Sequence, residues 1–195
     1  MFEELKYDLM EESDRGCVIL AASIIDAELR QMLLYECQVN GMSQKATTDL
    51  FDSNGPLSTF SGKSSICRAF GLINDDEFRD IGILRKLRNR FAHDMEHADF
   101  LKADIKDLIM SMHCCRKAHE NYNGEKIERF QRPKMPIPEY EIRSKGFVKY
   151  NKAVFCIGVE FLRISIKETT IVRLNKQING HKAILESLEK SIVVP

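Results

Sequence analysis

Residues 75–95 read DDEFRDIGILRKLRNRFAHDM, and the spacing of the apolar side chains in this stretch decides the fold. Phe78, Ile81, Leu84, Leu87 and Phe91 recur every three or four residues, so a helix carries them on one stripe that must face a core. Asn74 is placed to cap that helix, with Glu77 three residues on to reach back to the cap's backbone N–H. Asp75, Asp76 and Glu77 suit the positive end of the helix dipole, and Arg85, Lys86, Arg88 and Arg90 suit the negative end.

The same residues hold the chain's densest set of chemically useful side chains. Arg85, Asn89 and His93 advance four residues at a time and drift only about 40° per step, so they share one helix face. Arg88 and His93 are five residues apart, about 140° around an ideal helix, and one helix alone does not bring them together. A purely structural role for these residues has Asn89 and His93 bonding to neighbouring helix ends and Arg88 pairing with an acid such as Asp14.

Outward from this helix, helical patterns follow one another at short spacing, and no period-two run is long enough to demand a sheet. Ser13 or Asp14 caps a long helix with Val18, Ala21, Ala22, Ile25, Leu29, Met32 and Leu33 inward, ending near Gly41. A short helical turn is expected over 47–51, and another helix over 61–70 with Ile66, Ala69 and Phe70 inward and Gly71 as its stop. One helix is expected over 100–121, and a long one from Phe147 through Ile166. Gly180 then separates a last amphipathic helix, 181–193. The expected fold is all-α: a helical bundle with an additional C-terminal helical element. Its parts are a core over 1–122, a proline-containing connector over 123–143, and C-terminal helices over 144–195 packing on the core or on a second subunit.

Composition narrows the function. Lys and Arg total 29 against 29 Asp and Glu, so the chain has no bulk positive field for non-specific nucleic-acid binding, and any RNA contact must fall on a local basic patch. The six cysteines sit mostly in helical patterns and nothing at the N-terminus resembles a signal peptide, which points to reduced thiols in a cytoplasmic protein. The apolar run 153–166 is interrupted by Glu160 and Arg163 and is too short for a bilayer, which needs about 20 residues. Cys115 with His119, and His93 with His97, could each supply half a metal site, but four ligands do not converge in any recognised spacing, and neither metal nor cofactor is expected. The Gly- and Ser-rich stretch 53–65 lacks the phosphate-cradling P-loop pattern. The wide apolar face of the late helix favours a homodimer.

Two resemblances add to this reading. Arg88-Asn89-Arg90-Phe91-Ala92-His93 resembles the arginine, polar residue, spacer and histidine signature of the HEPN superfamily, many of whose members are dimeric metal-independent ribonucleases. In such an enzyme His93 is the acid/base, Arg88 holds the phosphate and Asn89 orients one of them, with two protomers sharing a cleft. Four blocks, Glu12-Ser13-Asp14-Arg15-Gly16, residues 55–61 (GPLSTFS), residues 69–73 (AFGLI) and residues 84–94, resemble in order and spacing the mannitol operon repressor (MltR-like) family. That resemblance implies an all-helical regulator without its own DNA-binding motif, acting through a protein partner. Glu12, Asp14, Arg15 and Arg85 are the candidate binding residues, with the ribonuclease as the alternative.

Overall fold

The computed structural model describes the backbone of residues 4–93, 98–121 and 139–192, with side chains over 8–93, 98–121, 150–180 and 182–184. The described residues form α1 (Glu4–Glu11), α2 (Asp14–Val39), α3 (Gln44–Phe51), α4 (Phe60–Ala69), α5 (Asp75–His93), α6 (Ala103–Ser111), α7 (His113–Asn121) and α8 (Glu139–Ile192). The fold is all-α, as the periodicities predict.

Local signals set the two inner helices. Ser13 Oγ accepts the Gly16 N–H at 3.0 Å and starts α2. Gly41, at φ 69°, ends it by donating to the Gln38 carbonyl, a left-handed position that suits glycine. Cys17, Ala21, Ile25, Leu29 and Met32 form its buried stripe. At the start of α5, Asn74 Oδ1 accepts the Glu77 N–H at 2.9 Å while Glu77 Oε2 accepts the Asn74 N–H at 2.7 Å, a reciprocal capping box. Ile81, Leu84, Leu87 and Phe91 are buried as expected, but Phe78 is 37% exposed and lies at the edge of the stripe.

The long α8 organises the bundle. It runs parallel to α2, with Cys156 against Cys17, Arg163 and Lys167 against Glu28, and Arg173 against Glu36. It runs antiparallel to α7, where Gly158 meets Cys115 and Tyr150 meets His119. Phe91, Phe100 and Phe155 stack in a tilted series with centroids 5.7 and 5.5 Å apart, joining α5, the approach to α6, and α8 in one core. Against α2 lies a buried charge: Lys63 Nζ of α4 stands 3.0 Å from Asp26 Oδ1, off hydrogen-bond alignment, and 3.4 Å from the Leu57 carbonyl.

Several expectations are corrected. The single helix over 100–121 is two, because the chain turns extended at Met112 (ψ 132°) and Asp80 of α5 supplies the acceptor for a new start. Gly180 does not break the C-terminal element. Glycine there costs roughly 1 kcal/mol relative to alanine, too little to stop a helix, and α8 is continuous, taking in residues 139–143 of the expected connector. Residues 122–138 of that connector lie outside the described residues. Phe70 is 70% exposed and Ala69 is also exposed, since Lys63, Ser64 and Cys67 face inward instead. Leu101, which the apolar periodicity of the helix expected over 100–121 places inward, is 49% exposed.

All six cysteines are free and buried. Burial pushes the Cys67 thiol up to about 12, and burial also raises Cys37. A thiol hydrogen bond with Cys17, then burial, raise Cys156, while the bond to Cys115 and burial raise Cys114. A protonated, enclosed thiol is a poor nucleophile. A thiol-reactive dye at pH 8 is therefore expected to label the folded protein about a hundredfold more slowly than the unfolded chain, with Cys37, 9% exposed, reacting first. Because these folded-state values lie above the unfolded one, the associated stability is complete below about pH 9 and is lost as pH rises beyond it.

Candidate functional site: a buried polar junction beside an exposed basic helix face

The block Glu12-Ser13-Asp14-Arg15-Gly16 lies where four segments meet. Asp14 Oδ2 accepts the Phe100 N–H at 3.2 Å, and Asp14 Oδ1 is 3.8 Å from Lys152 Nζ of α8. Lys152 also donates to the Glu12 carbonyl, and Asn151 Nδ2 donates to the Phe100 carbonyl at 2.8 Å. Arg15 Nη2 donates to the Ala92 carbonyl at 3.2 Å, placing a cation on the negative end of α5. A Cβ at Gly16 would come within 2.5 Å of Glu12 Oε2, so this position keeps the corner narrow.

Arg15 therefore does reach the residue next to His93. Asp14 and the Glu12 backbone fasten α8 and the approach to α6. Sequence reading missed Asn151 and Lys152, each 7% exposed. Their signal was two adjacent polar residues inside an otherwise apolar helix face.

Arg85, Lys86, Arg88, Asn89 and His93 are all exposed on α5. The Arg88–Asp14 pair of the purely structural alternative does not form; the Asp14 carboxylate meets the Phe100 N–H and Lys152. Asn89 and His93 make no bond to a neighbouring helix end among the described residues. Of the flanking cations, Arg90 pairs with Asp104 and Arg79 lies 3.9 Å from Asp76.

Hollows are found elsewhere among the described residues. One, of about 430 Å³, lies between α2 and α8 and is lined by Met32, Tyr35, Ile171 and Leu174, among others. Another, of about 190 Å³, lies among Glu77, Asp80, His113, Lys117 and Ser165. Neither includes Arg85, Arg88, Asn89 or His93.

The metal half-sites also diverge. Cys115 Sγ turns to Met112 Sδ at 3.9 Å, whereas His119 Nδ1 bonds to Tyr150 Oη. His97 lies outside the described residues. Among the described residues, no three His, Cys, Asp or Glu side chains converge on a metal position, and no helix is long and apolar enough to cross a membrane.

Comparison with known proteins extends the reading. The sequence profile of the family described as "Mannitol repressor" matches residues 7–135. The mannitol operon repressors of Escherichia coli K12 and of Escherichia coli O6:H1 CFT073 are each 26% identical over 101 residues, 51% of this chain and 52% of theirs. The chain thus spans about half the length of the curated relatives it matches. Among solved structures, the X-ray structure of the MtlR-HPr complex from Escherichia coli matches with a TM-score of 0.59 at 19% identity, over 84% of this chain and 99% of that one, a likeness of fold. The profile match runs from α1 to beyond α7 and takes in both the junction and the α5 motif: the chain belongs to the mannitol repressor family.

Proposed function

We propose that this protein is a transcriptional repressor of the mannitol operon type that acts by binding a protein partner. The family match over residues 7–135 carries the reading. The geometry of α5 supports it. A DNA-reading helix presents its N-terminal residues to the major groove, but α5 begins with Asp75, Asp76 and Glu77, and Glu77 is tied to Asn74 and to Ser165 of α8. Those carboxylates repel phosphate, and the chain as a whole has no compensating positive charge. Partner binding makes no such demand.

The MtlR-HPr complex supplies the partner to try first. Titrating this protein with HPr in a calorimeter is expected to give saturable binding. The same protein is expected not to shift mannitol operon promoter DNA in roughly 100 mM salt, where a counterion-driven binder would still be measurable. A promoter shift by the protein alone, with no heat on adding HPr, would overturn the reading.

A further inference from the structure

We propose that Arg85 and Arg88 form an anion-recognition face on α5 that receives the carboxylates of an acidic segment on a protein partner; this rests on the reading of the chain as a protein-binding regulator. Arginines elsewhere on the described surface are in use. Arg163 and Arg173 bind Glu160 and Glu36, and Arg68 binds Asp75. Arg116 donates to the Met110 and Ser111 carbonyls, and the Arg30 guanidinium lies 5.1 Å from the centroid of the Phe51 ring. With Arg15, Arg79 and Arg90 engaged as described above, Arg85 and Arg88 are the two that have no partner among the described residues. They are also neighbours, three residues apart on one helix, with Cβ atoms about 5–6 Å from each other.

The surroundings define the ligand. Lys86 and Asn89 flank Arg85, adding a third cation and an amide. One turn back, a Cβ at Gly82 would meet nothing within 4 Å, so the helix is bare there and a partner's backbone can descend beside the arginines. Two guanidinium forks on adjacent turns match two carboxylates, each able to take paired N–H bonds.

The positive strip is short. Asp76 lies about 13 Å before Arg85 along the helix axis, with Asp75 and Glu77 on either side of it in the sequence. A nucleic-acid strand laid along α5 would run onto these groups, whereas a compact pair of acidic side chains would not. The ligand is therefore a local cluster of Asp or Glu.

The test is fluorescence anisotropy with a labelled hexaglutamate peptide, and with a hexauridylate as the nucleic-acid arm, both at low salt. Arg85→Gln with Arg88→Gln is expected to weaken peptide binding at least tenfold. Lys45→Gln with Lys106→Gln, which removes the same charge from other exposed sites, is expected to leave it unchanged, and the uridylate is expected to bind more weakly than the peptide. Circular dichroism should show all variants folded, since every altered side chain is exposed. No peptide binding by the wild type, equal loss in both double variants, or tighter binding of the uridylate would each overturn the proposal. HPr titration separates it from the reading beneath it: HPr binding without peptide binding removes this face alone, and the expected peptide results without HPr binding leave the face standing and remove HPr as the partner.

Discussion

Asp80→Ala is expected to destabilise the protein by about 2–4 kcal/mol, the larger of the two largest effects predicted for a single side chain here. Asp80 is 2% exposed on α5, and its two oxygens accept the His113 N–H at 2.7 Å and the Cys114 N–H at 2.8 Å. These are the opening amides of α7, which have no acceptor within their own helix. Alanine leaves both without their side-chain acceptor, the Cys114 amide in a buried position, and removes a negative charge from the positive end of α7. Asp80→Asn keeps one carbonyl acceptor and should cost about half as much. For a chain of this length, thermal unfolding should shift by roughly 5–15 °C for the alanine variant. Asp107→Ala, an exposed site on α6, should stay within about 0.5 kcal/mol of wild type. A loss at Asp80 no larger than that at Asp107 would remove the cross-helix cap from the account of α7.

Gly158→Ala is the second, and its interest lies in its sign. Alanine in place of glycine inside a helix ordinarily stabilises by about 0.5–1 kcal/mol. At Gly158 the new Cβ would stand 2.6 Å from Cys115 Sγ, 2.9 Å from Cys115 Cα and 3.0 Å from its N. The sulfur could swing aside, but the backbone of α7 could not, so α7 and α8 must separate. Overpacking of this kind costs about 1–3 kcal/mol, enough to outweigh the helix gain. Gly180→Ala on the same helix meets nothing within 4 Å and should stabilise by about 0.5–1 kcal/mol. Urea midpoints for the two variants should move in opposite directions; a shared direction would show that the α7–α8 approach is looser than its geometry.

These two sites also show where sequence reading stops. α2 and α5 were legible because their signals are local: a cap and an apolar stripe in each, with a terminating glycine after α2. The break between α6 and α7 was not, because Met112 continues the apolar pattern and the acceptor that starts α7 lies 33 residues away on another helix. Gly180 misled for the converse reason, since glycine carries a stop signal only where the chain turns left-handed, as at Gly41 and Gly71.

The junction was half legible. Its Glu12–Gly16 corner was marked as a block, but the lysine and asparagine that complete it come from α8, on the far side of the connector. On α5, the spacing placed Arg85, Asn89 and His93 on one face, and all three are exposed there. That Asp14 turns to the Phe100 N–H and Lys152 is set by contacts 86 and 138 residues away, which no spacing rule reveals.

The parallel seating of α8 on α2 also governs how the molecule is made. Cys17 and Cys156 touch across 139 residues, and the family match ends at residue 135, before the part of α8 that covers α2. At about 5–20 residues per second of synthesis, a nascent chain carries the α8-facing side of α2 without that cover for roughly 7–28 s. Helical bundles closed by neighbouring segments fold fast, whereas this one must wait for its last long helix and close a long loop. That waiting apolar surface calls for shielding on and near the ribosome, and a chain released early, at the end of the family match, would leave the α8-facing side of α2 uncovered.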